Sequence, residues 1–320
     1  MRDYFRTAGL IFNQPLMVHE GMLDRAAHWA NQVMSLNIVN LSVQNGDAKM
    51  MDDDYRHSAD TRAARAEEQR RQAIASTGVA VIPVHGVLVS RGTQMNPCET
   101  MTNYEDLRTQ LNQALVDPAV EHIALDVDSP GGSTSGAFEL ADDIFAARAI
   151  KPITAIVNFN AYSAGYMMAA AASDVVVSRT SGVGSIGVIA KHVDMSKRLE
   201  QQGVKVTTVY AGAHKNDLTP NEPISDQSMA FLQDLVQGFY EQFVNAVAQY
   251  RGLTVDAVRA TEAGVYSGQR GIDMGLADRI ETPQAAVNRI AASVQQRRVE
   301  RVPRTKIAAR ASAMAMQITL

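Results

Sequence analysis

From Gly78 onward the chain alternates short β-branched runs with amphipathic helical stretches, and this alternation restricts its fold more than any other feature. Val79-Ala80-Val81-Ile82-Pro83-Val84 reads as a strand ending at His85-Gly86. Tyr104–Leu115 has helical spacing. His122-Ile123-Ala124-Leu125-Asp126-Val127 is a second strand, apolar enough for a sheet covered on at least one face. Ala137, Leu140, Ala141, Ile144 and Phe145 then recur on one face of a helix. Ile153–Val157 reads as a third strand, Met167–Ala172 as a tightly packed helix and Asp174–Val177 as a fourth strand. A further strand is expected over Val204–Tyr210. Ser225 is a good N-cap for a long helix reaching about Arg251, with Gly252 just past its end. Strands separated by helices of this length need crossover connections, so the expectation is an α/β fold with a mainly parallel sheet.

The flanks differ from this block. Residues 1–76 read as an N-terminal extension and linker: loosely helical spacing over Leu16–Leu36, acidic breakers at Asp47 and Asp52–Asp54, then an exposed helix over Ala59–Ile74. Residues 77–283 carry the strand–helix units. Residues 284–320 are basic and Ala-rich, with Arg289, Arg297, Arg298, Arg301, Arg304, Lys306 and Arg310 against Glu300, and are expected to be a mobile surface tail. A net charge of −4 argues against nucleic acid as a partner. The N-terminus lacks the continuous apolar stretch of a signal peptide, and no run of about 18 apolar residues occurs. A soluble, cytoplasmic protein with no membrane partner is expected. The single Cys98 allows neither an internal disulfide nor a cysteine metal cage. Asp126 and Asp128 alternate at a strand end without further ligands, so they read as turn-capping, and neither a metal nor a cofactor is expected.

Two junctions carry chemistry. Ser129-Pro130-Gly131-Gly132-Ser133 follows the second strand and precedes a helix. Glycines there permit close backbone approach and leave amides free to face an anion, whether phosphate or an oxyanion. The spacing matches neither a dinucleotide fingerprint nor a Walker loop, and a plain tight turn is the simpler reading. Asn160-Ala161-Tyr162-Ser163-Ala164-Gly165-Tyr166 follows the third strand. Its serine is either a helix N-cap or an exposed nucleophile at a sharp strand-to-helix turn. On adjacent parallel strands the two loops would lie side by side. The amides of Gly132 and Ala164 would then face the hydroxyl of Ser163.

With Gly184-Ser185-Ile186-Gly187-Val188 and Gly212-Ala213-His214-Lys215 added, the chain resembles the signal peptide peptidase A (S49) family of serine peptidases. Within it, the chain is most similar to lambda-type phage head maturation proteases. The resemblance runs from Phe12-Asn13-Gln14-Pro15-Leu16 to Gly275-Leu276-Ala277-Asp278. It implies the fold of the Clp protease and crotonase superfamily, built from repeated β-β-α units. It also implies Ser163 as nucleophile, Lys215 as general base, Ser185 as the residue that orients the lysine, and Gly132 as an oxyanion donor. A lysine acts as a base only when neutral, so burial must pull its pKa from about 10.4 toward roughly 7–8. The implied substrates are scaffold, portal or capsid proteins of a phage prohead, and the implied assembly is a homo-oligomeric ring that can complete its sites across subunits.

A rival base is His192, with Asp194 as its orienter, in the manner of a Ser-His-Asp triad. His214 reads as a shaping residue and Tyr266-Ser267-Gly268-Gln269 as structural. The small residues of Ala308–Met316 make self-cleavage of the tail a further expectation. Three other readings stand beside the prohead protease: a host-type signal peptide peptidase, a crotonase-like acyl-CoA enzyme and a non-catalytic assembly protein.

Overall fold

A computed structural model describes residues 16–19, 67–91 and 101–301. Cys98, the acidic linker and the Ala308–Met316 segment lie outside the described residues, as does most of the Leu16–Leu36 stretch. In chain order the elements are β1 (Leu16–Val18), α1 (67–77), β2 (Val79–Val89), β3 (Met101–Asn103), α2 (Tyr104–Val116), β4 (His122–Ser133) and α3 (Ala137–Ala147). Then come β5 (Ile153–Tyr162), α4 (Ala164–Ala170), β6 (Asp174–Val177), β7 (Gly182–Gly184) and α5 (Ser196–Gln201). The chain continues through α6 (Asp226–Arg251), α7 (Val255–Arg259), β8 (Val265–Ser267), α8 (Gln269–Asp273), β9 (Arg279–Ile280) and α9 (Pro283–Arg301).

The strands form one sheet of order β3-β2-β4-β5-β6-β9, and every neighbouring pair along that path is parallel. The expected α/β architecture is what the chain adopts. Side chains alternate across the sheet, so each strand feeds two layers. Ile123, Leu125 and Val127 of β4, Ile153, Ala155 and Val157 of β5, and Val175 and Val177 of β6 join one core with α2, α3, α4 and the end of α6. The intervening Ala124, Ile156 and Val176 meet Ala286, Ile290 and Val294 of α9 on the opposite face. Each such valine, leucine or isoleucine side chain, fully withdrawn from water, contributes about 1.5–3 kcal/mol before entropy is counted.

Two expectations change here. The start of the basic tail is not mobile: residues 283–301 are a helix whose i, i+4, i+8 stripe closes the second face. Two of its arginines form ion pairs, Arg289 with Glu281 and Asp174 and Arg298 with Glu121. Val204–Tyr210, expected as a strand, has no regular structure and pairs with no strand among the described residues. Its apolar side chains face solvent, Val209 at 93% and Tyr210 at 53% exposure. The long helix behaves as read. Ser225 Oγ accepts from the Ser228 amide, and Gly252 ends the helix in the left-handed region at φ 66°.

Beyond the central strand pairs, β4 and β5 change neighbours. Their pairing slips between Val127 and Ser129, after which only Ser129 and Ala161 remain opposed. β5 then pairs its last residues with β7, while the end of β4 pairs with β1. That divergence opens the site between the two strand ends.

Candidate active site

Ser163 stands where β5 turns into α4, with φ 53° and ψ −121°. A non-glycine residue there carries backbone strain of about 1–3 kcal/mol, which the surroundings must impose. They do so on several sides. The Ser163 amide donates to Gly184 O at 2.9 Å, and the Ser163 carbonyl accepts the first helical bond, from the Met167 amide. Gly165 brings α4 against β4 so closely that a Cβ would stand 2.8 Å from Ser129 Cβ and 2.9 Å from Ser129 O. The N-cap reading fails on one observation: Ser163 makes no side-chain capping bond. Its hydroxyl instead points to Gly187 O at 3.4 Å, a long and weak contact that leaves the oxygen little committed.

The glycine loop lies directly beside it. Ser129 Oγ donates to Gly86 O at 2.7 Å and accepts from the Gly131 amide at 3.1 Å, holding the bend. Gly131 has φ +104°, and a Cβ there would meet Met17 O at 2.1 Å and Ser163 Cβ at 2.9 Å. At Gly132 a Cβ would collide with Leu88 O at 1.9 Å. Both glycines are therefore required by close backbone approach. Ala164 is the first residue of α4, where an amide has no intrahelical acceptor.

Ser185 lies in the segment that bonds to Ser163. It too has positive φ, 54°, and its amide donates to Gly264 O at 2.8 Å. Its neighbours Gly184 and Gly187 are the residues whose carbonyls face Ser163. Ser163 thus stands against Gly131, next to Gly132 in the loop, and bonds to the carbonyls on either side of Ser185.

Lys215 has no such link to Ser163 among the described residues. It is exposed on the turn that follows Val204–Tyr210, and among the described residues no hydrogen bond links it to Ser163 or Ser185. The turn itself is well fastened. The Lys215 amide donates to Gly212 O at 3.1 Å, and His214 Nδ1 lies 2.7 Å from Asp217 Oδ2. Asp217 Oδ1 accepts from Ser228 Oγ at 2.9 Å and Gln227 Nε2 at 3.1 Å, tying the turn to the start of α6. The hydrogen bond from His214 is the main reason the Asp217 carboxyl sits below its usual range, against a smaller opposing cost of desolvation. His214 accordingly shapes the turn.

The rival His192–Asp194 pair does not form. His192 Nε2 lies 2.9 Å from Thr219 O, and Asp194 Oδ1 accepts the Ser196 amide at 2.8 Å. Asp126 is not a turn cap: its Oδ2 lies 2.9 Å from His85 Nε2. Tyr266 and Gly268 are structural, the tyrosine hydroxyl donating to Thr261 O and the glycine abutting Arg179 O. Sequence reasoning missed β1, which runs beside Gly131–Ser133, and His19, whose ring lies 5.1 Å from Tyr162. The signal was there in Pro15 followed by Leu16-Met17-Val18, a short strand-like run swallowed by a helical pattern.

Among the described residues no helix is long and apolar enough to cross a membrane. Residues 146–297 match the sequence model of peptidase family S49. The chain is similar to capsid assembly protease C of Escherichia phage lambda, 37% identical over 288 residues, covering 90% of this chain and 65% of that protein. It is also similar to head-tail preconnector protein GP5 of Enterobacteria phage P21, 42% identical over 217 residues, 68% of this chain and 43% of that one. A signal peptide peptidase SppA homologue of Enterococcus faecium is 29% identical over 224 residues, 69% of this chain and 65% of that protein. The chain therefore spans less than two thirds of the length of these relatives. Residues 146–297, which hold the strained Ser163, thus form a peptidase family S49 domain within this chain.

Proposed function

We propose that this protein is a serine endopeptidase that cuts virion assembly proteins, with Ser163 as nucleophile and Lys215 as general base. The observation that carries the reading is the backbone of Ser163: a strained, uncapped serine wedged against a glycine loop. A helix cap would need neither the strain nor the glycines. The choice of substrate rests on the capsid assembly and preconnector relatives.

In this mechanism the neutral Lys215 amine takes the Ser163 proton as Oγ attacks the scissile carbonyl. The Gly132 and Ala164 amides hold the oxyanion, and Ser185 directs the amine. The protonated amine then gives its proton to the leaving nitrogen, and water releases the acyl group by the same route. A lysine can do this only out of water, and the single chain leaves Lys215 exposed. A second copy is the natural cover. The exposed, unpaired Val204–Tyr210 segment, with Met229 and Phe231 exposed on α6, offers an apolar surface next to that lysine. The active unit is accordingly an oligomer whose dyad is closed at a subunit contact.

The test is to incubate the protein with its neighbouring head proteins and compare wild type with Ser163→Ala, Lys215→Ala and His192→Ala. Loss of cleavage is expected for the first two alone. Cleavage that survives Lys215→Ala but not His192→Ala would transfer the role of base to the histidine.

A further inference from the structure

The strand β1 has a position that the peptidase reading does not explain. Leu16–Val18 lies in the gap that opens where β5 leaves β4, antiparallel to the glycine loop. Its register sets Leu16 opposite Ser133, Met17 opposite Gly132 and Val18 opposite Gly131. The His19 amide donates to Pro130 O at 2.8 Å, so residues 19 and 130 form a hydrogen-bonding pair of the ladder. Such pairs alternate with non-bonding ones, so Met17 and Gly132 are the next bonding pair. The Met17 carbonyl therefore faces the amide of Gly132, the group assigned above to the oxyanion.

Independent geometry agrees. The point where a Gly131 Cβ would sit is 2.1 Å from Met17 O and 2.9 Å from Ser163 Cβ, so carbonyl and nucleophile flank one glycine. On its other edge β1 is bonded as well. The Leu16 amide donates to Ile189 O at 2.8 Å, and the Ile189 amide donates to Leu16 O at 2.9 Å. An extended segment is thus clamped between the glycine loop and the 187–189 loop, with one carbonyl at the oxyanion donor. Met17 and Ser163 are both 0% exposed. No external peptide can reach this hydroxyl while β1 is in place.

Resting on the serine peptidase reading, we propose that Leu16-Met17-Val18 is a built-in substrate mimic, occupying the strand site that a protein substrate must take. Met17 stands at the acyl position and Leu16 before it, and the Met17–Val18 bond is the one set against Ser163. Two consequences follow. The free enzyme is held off until β1 is displaced, and substrates are extended segments with an unbranched apolar residue at the acyl position. A permanent wall strand would show the same ladder but would never leave, and that difference is measurable.

The experiment uses the full chain and a fluorophosphonate probe, with Ser163→Ala as the blank. Leu16→Pro, which removes the Leu16 donor, and Met17→Asp, which removes the buried apolar anchor, are expected to speed labelling of Ser163 at least about 10-fold. In the wild type, an acetyl-Leu-norleucine-type peptide boronate is expected to abolish hydrogen-exchange protection of the Leu16 amide. Retained Leu16 protection in the boronate complex overturns the proposal, even if the variants prove unstable. So does unchanged or slower labelling in variants that keep the wild-type melting temperature. Failure of the wild type and every variant to label at Ser163 is a different result: it removes the peptidase reading itself, and this inference with it.

Discussion

The two halves of the proposed dyad sit in opposite kinds of structure. Around Ser163 the chain is over-determined: Ala164 to Ala170 are buried without exception, and glycines at 131, 132 and 165 lie within collision distance of neighbouring backbone or Cβ atoms. Around Lys215 it is the reverse. Val204, Val206, Val209 and Tyr210 are exposed, and a Cβ at Gly203 or Gly212 would meet nothing within 4 Å. The long helix α6 shows the same split along its length. Its second half buries Phe243, Val244 and Val247, while Met229 and Phe231 near its start are exposed. Strain at a nucleophile can persist only where close packing enforces it. A base that must be dried can instead be supplied by a surface waiting for a partner.

The comparison can be broken most directly by mixing inactive chains. Ser163→Ala and Lys215→Ala should each lower cleavage by a factor on the order of 10³ or more. If the dyad closes between subunits, mixing the two inactive proteins restores part of the activity. A mixture as dead as its components would place serine and lysine in one chain. Substitutions with steric effect come next. Gly165→Ala drives a Cβ to 2.8 Å from Ser129 Cβ, and a cost of about 1–3 kcal/mol is expected in denaturant titration, with labelling of Ser163 lost alongside. Val209→Asp, on the opposite side of the comparison, should change the stability of the single chain by no more than about 0.5 kcal/mol. It should nonetheless shift the sedimentation profile toward monomer and abolish cleavage.

A pH titration sharpens the contrast further. His122 lies under the sheet, 7% exposed, with Nε2 against Thr154 Oγ1. Burial, aided by Arg297 and Arg289, pushes its pKa down to about 4. Between pH 6.5 and 4 the unfolded chain binds the extra proton, so stability falls as the pH drops through that window, by on the order of 3 kcal/mol in all. His122→Gln should flatten the slope in that range. Smallest of all is Gly238→Ala. The glycine lies in the middle of α6 and a Cβ there meets nothing within 4 Å, so a gain of roughly 0.5–1 kcal/mol in chemical denaturation is expected.

What the residues revealed in advance follows the range of the forces involved. The N-cap at Ser225 and the left-handed stop at Gly252 are local backbone chemistry, and both stand as read. So do the α/β alternation and the β4–β5 adjacency that puts a glycine loop beside a serine turn. Val204–Tyr210 has strand composition, but a strand needs an edge, and no local pattern states whether one is in reach. The basic C-terminal stretch was misread for a related reason. Its charges dominate the composition, while the Ala286, Ile290 and Val294 stripe acquires meaning only when a sheet face is there to receive it.

By itself the order of residues supplied the groups proposed to act: a serine, a lysine, a second serine and paired glycines, each placed at a turn. Tertiary structure alone decided which of them meet. It strained Ser163 by closing two loops around it, left Lys215 in water, and laid Leu16–Val18 along the glycine loop. The reason is physical: turns and caps depend on residues a few positions apart, whereas strand pairing and burial depend on surfaces that exist only after the chain has folded.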